Sequence, residues 1–452
     1  MSFSKSPLNL QVDTGNRQIL RIALPITASI LVPQLNFITN NIFLSGLGQR
    51  ELGLAGITGV YYLLFAVIGL GLNNGLQALI SRRAGENRID EIGSIFWHGV
   101  RISLVFALFG ILCTWFIAPT VLSWSLHDPI GIEMAISFLS IRILGLPILY
   151  IYQMRNALLV GTNQSKYLIL GTATEAIVNI VLDYGFIYGK LGLPKLGFNG
   201  AAYSSIIAEI AGLLAVFVVI KSIGISKQLH LFEKVKYEQK YIRLILVQSY
   251  PLILQHAISI FSWEYFYILI EHHGARDLAI SNTMRNMFGF FGCFTWAFAA
   301  TTNTMVSNVI GQGKKEEVIP LIHRILKWSV GFALMVFLIL NFSPRTFLSI
   351  YGQGEDFINA AIPVMRIVSI AMLMMSVAVV WVNAVTGTGN SKMNLYTEIA
   401  TIVFYILYVY IVLERYFLPI TIGWMSEWLY WGIMFIPSYW YIRSNRWKSL
   451  VI

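Results

Sequence analysis

Glu175, Asn179 and Asp183 stand four residues apart within one apolar run, 167–188. That spacing lines all three side chains along one face of a helix. The face runs about 12 Å from first to last, at 1.5 Å of rise per residue. Charge is costly inside a bilayer, so an ionisable group there is a functional candidate by default. A carboxylate so placed can exchange a proton near neutral pH. With amide, hydroxyl or carbonyl oxygens beside it, it can instead hold a hard cation such as Na⁺, here at Asp183 and Asn179. Either property ties an ion gradient to a change of shape. The competing readings are a hydrated Asp183 at a helix end and a Glu175 paired structurally with an arginine.

Other apolar runs carry further candidates. Glu264 sits beside Trp263, Tyr265 and Tyr267, a setting that suits an organic cation through charge and cation–π attraction, or else a helix-packing ion pair. Glu209 and Glu398 are weaker candidates of the same kind. Arg142, Arg285 and Arg366 lie toward the outer ends of their runs. Such arginines snorkel or pair with acids, or they line a cavity that accepts anionic groups.

The elements that position these residues follow from composition. Of 452 residues, 56% are hydrophobic and 12% charged, and mean hydropathy is +0.68. Soluble domains carry about 25% charge, so the bilayer is the remaining solvent. A crossing helix needs about 20 apolar residues. Runs of that kind fall at 20–44, 54–80, 95–118, 134–158, 167–188, 201–221, 245–270, 278–308, 321–342, 358–386, 394–413 and 419–441. Pro25, Pro33 and Pro363 mark candidate kinks. The first run lacks a small-residue cleavage pattern and is expected to be retained. With the N-terminus in the cytoplasm, 23 of the 32 Lys and Arg, Lys5 included, fall on the inner side and 6 on the outer. One span too many or too few would scramble that division. The net charge of +10 is thus a matter of topology, and no nucleic-acid face is formed. Cys113 and Cys293, both in apolar stretches, read as packing residues.

A shift of 226 residues superimposes the halves: Pro25 on Pro251, Ser81 on Ser307, Gly85 on Gly311, Glu91 on Glu317, Gly161-Thr162 on Gly387-Thr388, and Ser165-Lys166 on Ser391-Lys392. The expected fold is all-α, with twelve transmembrane helices in two six-helix bundles related by a pseudo-two-fold axis along the membrane normal. The lobes are 1–221 and 244–452. The segment 222–243, with Lys227, Lys234, Lys236 and Lys240, is a basic cytoplasmic linker. Two like bundles around a cleft favour alternating access. Asp183 has no acidic twin, because the shift lands on Val409.

Signatures of soluble enzymes are absent. Gly69, Gly71 and Gly75 make no dinucleotide fingerprint, and Gly311–Lys315 lacks Walker A spacing. His272 and His273 fall in a short outer loop and are expected to be solvated. No cofactor is implied beyond H⁺ or Na⁺ as a coupling ion.

These residues resemble the multidrug and toxic compound extrusion (MATE) family, prokaryotic type, over nearly the whole chain. The resemblance rests on Leu24-Pro25 and Asn40-Asn41-Ile42-Phe43-Leu44-Ser45-Gly46-Leu47-Gly48 in the first helix and its exit. It rests also on Asn179, Leu182-Asp183, Gly185, Gly197 and Gly200-Ala201-Ala202-Tyr203-Ser204-Ser205, and on the Gly85 and Gly311 loops. It implies a V-shaped pair of bundles in the plasma (inner) membrane, termini cytoplasmic and the protein monomeric. Such a protein exports amphipathic, often cationic organic compounds in exchange for H⁺ or Na⁺. The family's cation site maps onto Asp183, Asn179 and Ser205, and its bending proline onto Pro25. One departure stands out: Asn40 occupies the place of an acid, and an amide offers only an oxygen ligand. Glu175 is the acid at hand to replace it. The alternative is a flippase for a lipid-linked or anionic substrate, motivated by Arg142, Arg285 and Arg366.

Overall fold

The computed structural model describes residues 9–126, 128–231, 233 and 236–450, with the backbone alone for Phe37 and Ser125. Lys5 and Lys234 lie outside these residues. Among the described residues twelve long helices follow in order: α1 Asn16–Ser45, α2 Gln49–Gly85, α3 Ile89–Trp124, α4 Pro129–Gly161, α5 Ser165–Tyr188, α6 Phe198–Ser222 and α7 Gln239–Glu271. They continue with α8 Ala275–Gly311, α9 Lys315–Phe342, α10 Glu355–Thr388, α11 Ser391–Arg415 and α12 Ser426–Arg443. All but α8 and α12 are long and apolar enough to cross a membrane. Backbone groups in lipid must be bonded internally, which makes uninterrupted helix the natural state of such runs. Pro251 and Pro363 lie inside their helices, and α1 runs through Pro25 and Pro33.

Two compact units divide the chain. One takes residues up to Gln11 together with Ala28–Ser249; the other takes Val12–Thr27 and everything from Tyr250 onward. The start of α1 thus belongs with the second unit, and the start of α7 with the first. Each handover lies beside a proline, Pro25 or Pro251, the pair that the repeat superimposes. In the second unit Val12 donates its N–H to Asn308 Oδ1 (3.1 Å), and Trp328 Nε1 donates to Asn16 Oδ1 (3.2 Å). In the first, Glu238 donates its N–H to His98 Nε2 (3.0 Å).

Within the first unit, α5 and α6 approach backbone to backbone. A methyl at Gly200 would sit 2.8 Å from the Phe186 carbonyl carbon, and one at Gly212 would sit 2.7 Å from the Gly171 oxygen. Membrane helices associate through such small-residue contacts, since lipid supplies no hydrophobic drive between them. This approach brings the Asp183 face of α5 against α6. We expect Gly200→Val to separate the two helices and cost about 1–3 kcal/mol, as overpacking does. A lowered melting temperature in detergent would register it, and an unchanged one would remove the contact from the argument.

In the second unit α10 is the central element, with 72% of its apolar stretch buried against 22% in α2.

Candidate functional site

Asp183 and Asn179 are 1% and 2% exposed, so the hydrated-end reading of Asp183 gives way to burial. Ser204 of α6, fully buried, donates its hydroxyl to Asp183 Oδ1. The Asn179 amide is oriented by the groups around it. Turned so that both ends are satisfied, its NH₂ donates to Asp183 Oδ2 (3.2 Å) and its oxygen accepts from the Ser205 N–H (3.2 Å). Asn36 of α1 meets the same amide at 2.9 Å. Both carboxylate oxygens are therefore held by neutral donors. Among the described residues no Lys, Arg or His pairs with Asp183.

Ser204, rather than Ser205, supplies the hydroxyl: both Oγ atoms lie within reach of the Ala201 carbonyl (3.1 and 2.8 Å), but Ser204 is the one that meets Asp183 Oδ1. Gly200 and Ser204 are four residues apart, on the face of α6 that meets α5. That spacing is the signal sequence reasoning passed over. Asn36 was also missed. It sits four residues before Asn40 on α1 and repeats the spacing of Asn179 and Asp183. Asn40 Oδ1 is buried and has no hydrogen-bond partner, which leaves it free to ligate. Carboxylate, amide and hydroxyl oxygens of this kind suit a proton on Asp183 or a hard cation.

Glu175, two turns along α5, belongs to a different group. It lies within electrostatic reach of Glu209, Arg155 and Arg142 and beside Tyr152. Arg142 forks onto Glu209, with Nη2 to Oε1 at 2.5 Å and Nη1 to Oε2 at 3.3 Å, and lies 4.1 Å over the Tyr62 ring. Arg155, 3% exposed, stacks 3.9 Å over Tyr152 and donates to the Gly212 carbonyl (3.2 Å). Two cations and two acids thus offset one another inside the first unit.

Of the other candidates, Glu264 is paired with Arg285 (3.3 Å), whose guanidinium lies 5.1 Å from both the Trp263 and Tyr267 rings. The aromatic faces engage the protein's own cation. Arg366 is exposed on α10. Of the two loop histidines, His272 is exposed, as expected, and His273 is half-buried; both have partners. His272 Nδ1 lies 2.8 Å from Glu414, and His273 stacks on Phe417 at 4.0 Å with Nε2 2.9 Å from the Leu413 carbonyl.

Two repeated units of membrane-spanning helices, each with buried ionisable groups of its own, are the architecture of an integral membrane transporter. The MatE family model matches residues 25–185 and 251–411, two segments displaced by the same 226 residues as the repeat. The chain therefore belongs to the MATE family, and its fold is the family's twelve-helix, two-bundle one. A probable multidrug resistance protein NorM from Synechocystis sp. is 22% identical over 79% of both chains. One from Thermotoga maritima is 20% identical over 84% of this chain and 82% of its own. Among solved structures, a MATE in the straight conformation superimposes with a TM-score of 0.88 at 17% identity over the full length of both chains. A MOP superfamily transporter from Pyrococcus furiosus, whose binding pocket is described as of reverse polarity, superimposes at 0.87 and 16% identity, also over both full lengths.

Proposed function

We propose that this multi-pass protein exports amphipathic organic compounds, cationic and drug-like, by antiport with H⁺ or Na⁺. It works as a monomer in the inner membrane through alternating access, with both termini cytoplasmic. The observation that carries the reading is Asp183, a buried carboxylate held by Ser204 and Asn179, the latter backed by Asn36, with no cationic partner among the described residues. A charge so placed is neutralised by an arriving proton or metal cation, and its loading biases the helices it joins. The relatives named as probable multidrug resistance proteins support the substrate class.

The flippase reading needs arginines free to bind anions. Arg142 and Arg285 are already engaged by Glu209 and Glu264, which leaves the exposed Arg366 as the one of the three without an ion pair among the described residues and favours cation export.

Proteoliposomes with an imposed H⁺ or Na⁺ gradient are expected to accumulate a fluorescent organic cation. Indifference to such cations, with binding of pyrophosphate lipids, would overturn export in favour of the flippase.

A further inference from the structure

The second unit buries two carboxylates that the Asp183 site does not use. Glu398 of α11 is wholly shielded. The Tyr430 hydroxyl of α12 lies 2.9 and 3.1 Å from its two oxygens, and Gln255 of α7 donates Nε2 to Oε2 at 3.3 Å. Ser259 of α7 is 3.2 Å from the same tyrosine hydroxyl. Glu427, in the first turn of α12, is 5% exposed. It faces Tyr405 of α11, Trp263 and Tyr267 of α7, and Trp431 of its own helix.

Neither acid has a cationic partner among the described residues. Arg285 of α8 is held by Glu264 (3.3 Å), and His256 of α7 has Nδ1 on the Leu252 carbonyl (2.7 Å). From α10, which also packs on α12, no titratable group acts on either carboxylate.

Donors are left over around Glu427. The Tyr405 hydroxyl, on a side chain 2% exposed, has no hydrogen-bond partner; neither has Trp431 Nε1, nor the fully buried Ser426 Oγ. An ionised carboxylate would be the strongest acceptor in reach of these donors. They lie around the carboxyl without closing a hydrogen bond to it in this structure. Tyr405 and Tyr430 touch edge to face with centroids 6.0 Å apart, which joins the two carboxylates into one cluster.

We propose that Glu398 and Glu427 form a second proton-binding site, distinct from Asp183 and built on α7, α11 and α12. These helices are the repeat counterparts of α1, α5 and α6, which carry the Asp183 site. The residues themselves are not counterparts, because the 226-residue shift takes Glu398 to Thr172 and Glu427 to Ala201. An unpaired carboxylate in a low-dielectric interior neutralises by binding a proton. When Glu427 releases that proton to water, its carboxylate draws in the Tyr405 hydroxyl and the Trp431 N–H and ties α11 to α12. Rebinding the proton frees them. The site depends on membrane burial alone and not on which ion or compound is transported.

The full-length protein in lipid nanodiscs is titrated with acid and base while tryptophan emission and the infrared carbonyl band of protonated carboxylic acids are followed. Wild type is expected to lose carbonyl absorption and change its emission as pH rises, with no response to Na⁺ at constant ionic strength. Glu427→Gln is expected to remove the emission change and part of the band, and Glu398→Gln a further part. Tyr405→Phe leaves both acids in place and takes a donor from the ionised form, so the titration moves to higher pH. Identical difference spectra in wild type and both Gln variants would overturn the proposal; so would an unmoved titration in Tyr405→Phe. Asp183→Asn removes only its own share of the band, so failure of this site and failure of the Asp183 reading are told apart.

Discussion

Asp183→Asn is expected to reduce gradient-driven export to the level of protein-free vesicles while the protein still inserts and folds. The side chain keeps its shape, and its remaining oxygen still accepts from Ser204, whose hydroxyl reaches Asp183 in the wild type. What disappears is the charge. An amide neither takes up a proton at physiological pH nor supplies the negative pole of a Na⁺ site. The gradient-driven component of export is therefore lost as a whole. Uptake of a fluorescent cation under an imposed gradient measures it, and melting in detergent controls for folding. Wild-type transport in that variant would end the assignment of Asp183 as the coupling residue. A companion exchange, Ser205→Ala, should leave export intact, whereas Ser204→Ala should weaken it.

The second large effect concerns stability. Arg142 and Glu209 form a two-pronged ion pair inside the first unit, closed on one side by the Tyr62 ring. Breaking such a pair from one side leaves an uncompensated buried charge, at a cost of about 3–5 kcal/mol. Glu209→Leu should therefore lower the melting temperature sharply and reduce the amount of folded protein recovered. Removing both charges together, as Arg142→Met with Glu209→Leu, should restore most of the loss, since replacing a buried pair by apolar groups of similar volume is often neutral. The double variant is also expected to transport. A stable double variant without export would return Arg142 to the substrate pathway.

Much of the fold was legible because the bilayer simplifies the code. About twenty apolar residues are needed to cross, and the inner loops gather Lys and Arg; together these yield twelve helices without knowledge of a single contact. The repeat supports the most polar of them. Ala275–Gly311, which holds the apolar run 278–308, carries Thr301, Thr302, Asn303, Thr304, Ser307 and Asn308 toward its C-terminal end and falls short of the hydropathy of the other long spans. Ser81 and Gly85 of α2 nevertheless match Ser307 and Gly311 of α8 in register.

The site was legible only in part. Periodicity put Asn179 and Asp183 on one face of α5, and both proved buried there. Glu175 shares that face in projection, yet two turns suffice to bring it under the influence of Arg142, Arg155 and Glu209 instead. Glu264 among aromatic residues looked like a seat for an organic cation, until Arg285, twenty-one residues away in sequence, came within 3.3 Å of it. Glu398 ranked low because nothing beside it in the chain announces Tyr430 or Gln255.

The amino-acid sequence by itself determined the solvent of this protein, its helix count, its duplication and the acid most worth testing. These follow from composition and spacing, which act along one helix at a time. Tertiary structure alone decided which hydroxyl reaches Asp183, which arginines are neutralised and which carboxylates lack a cation. Such pairings depend on how each helix is rotated and how closely it approaches its neighbour. At Gly200 that approach rests on an absent side chain, and its consequence appears four residues further on, at Ser204.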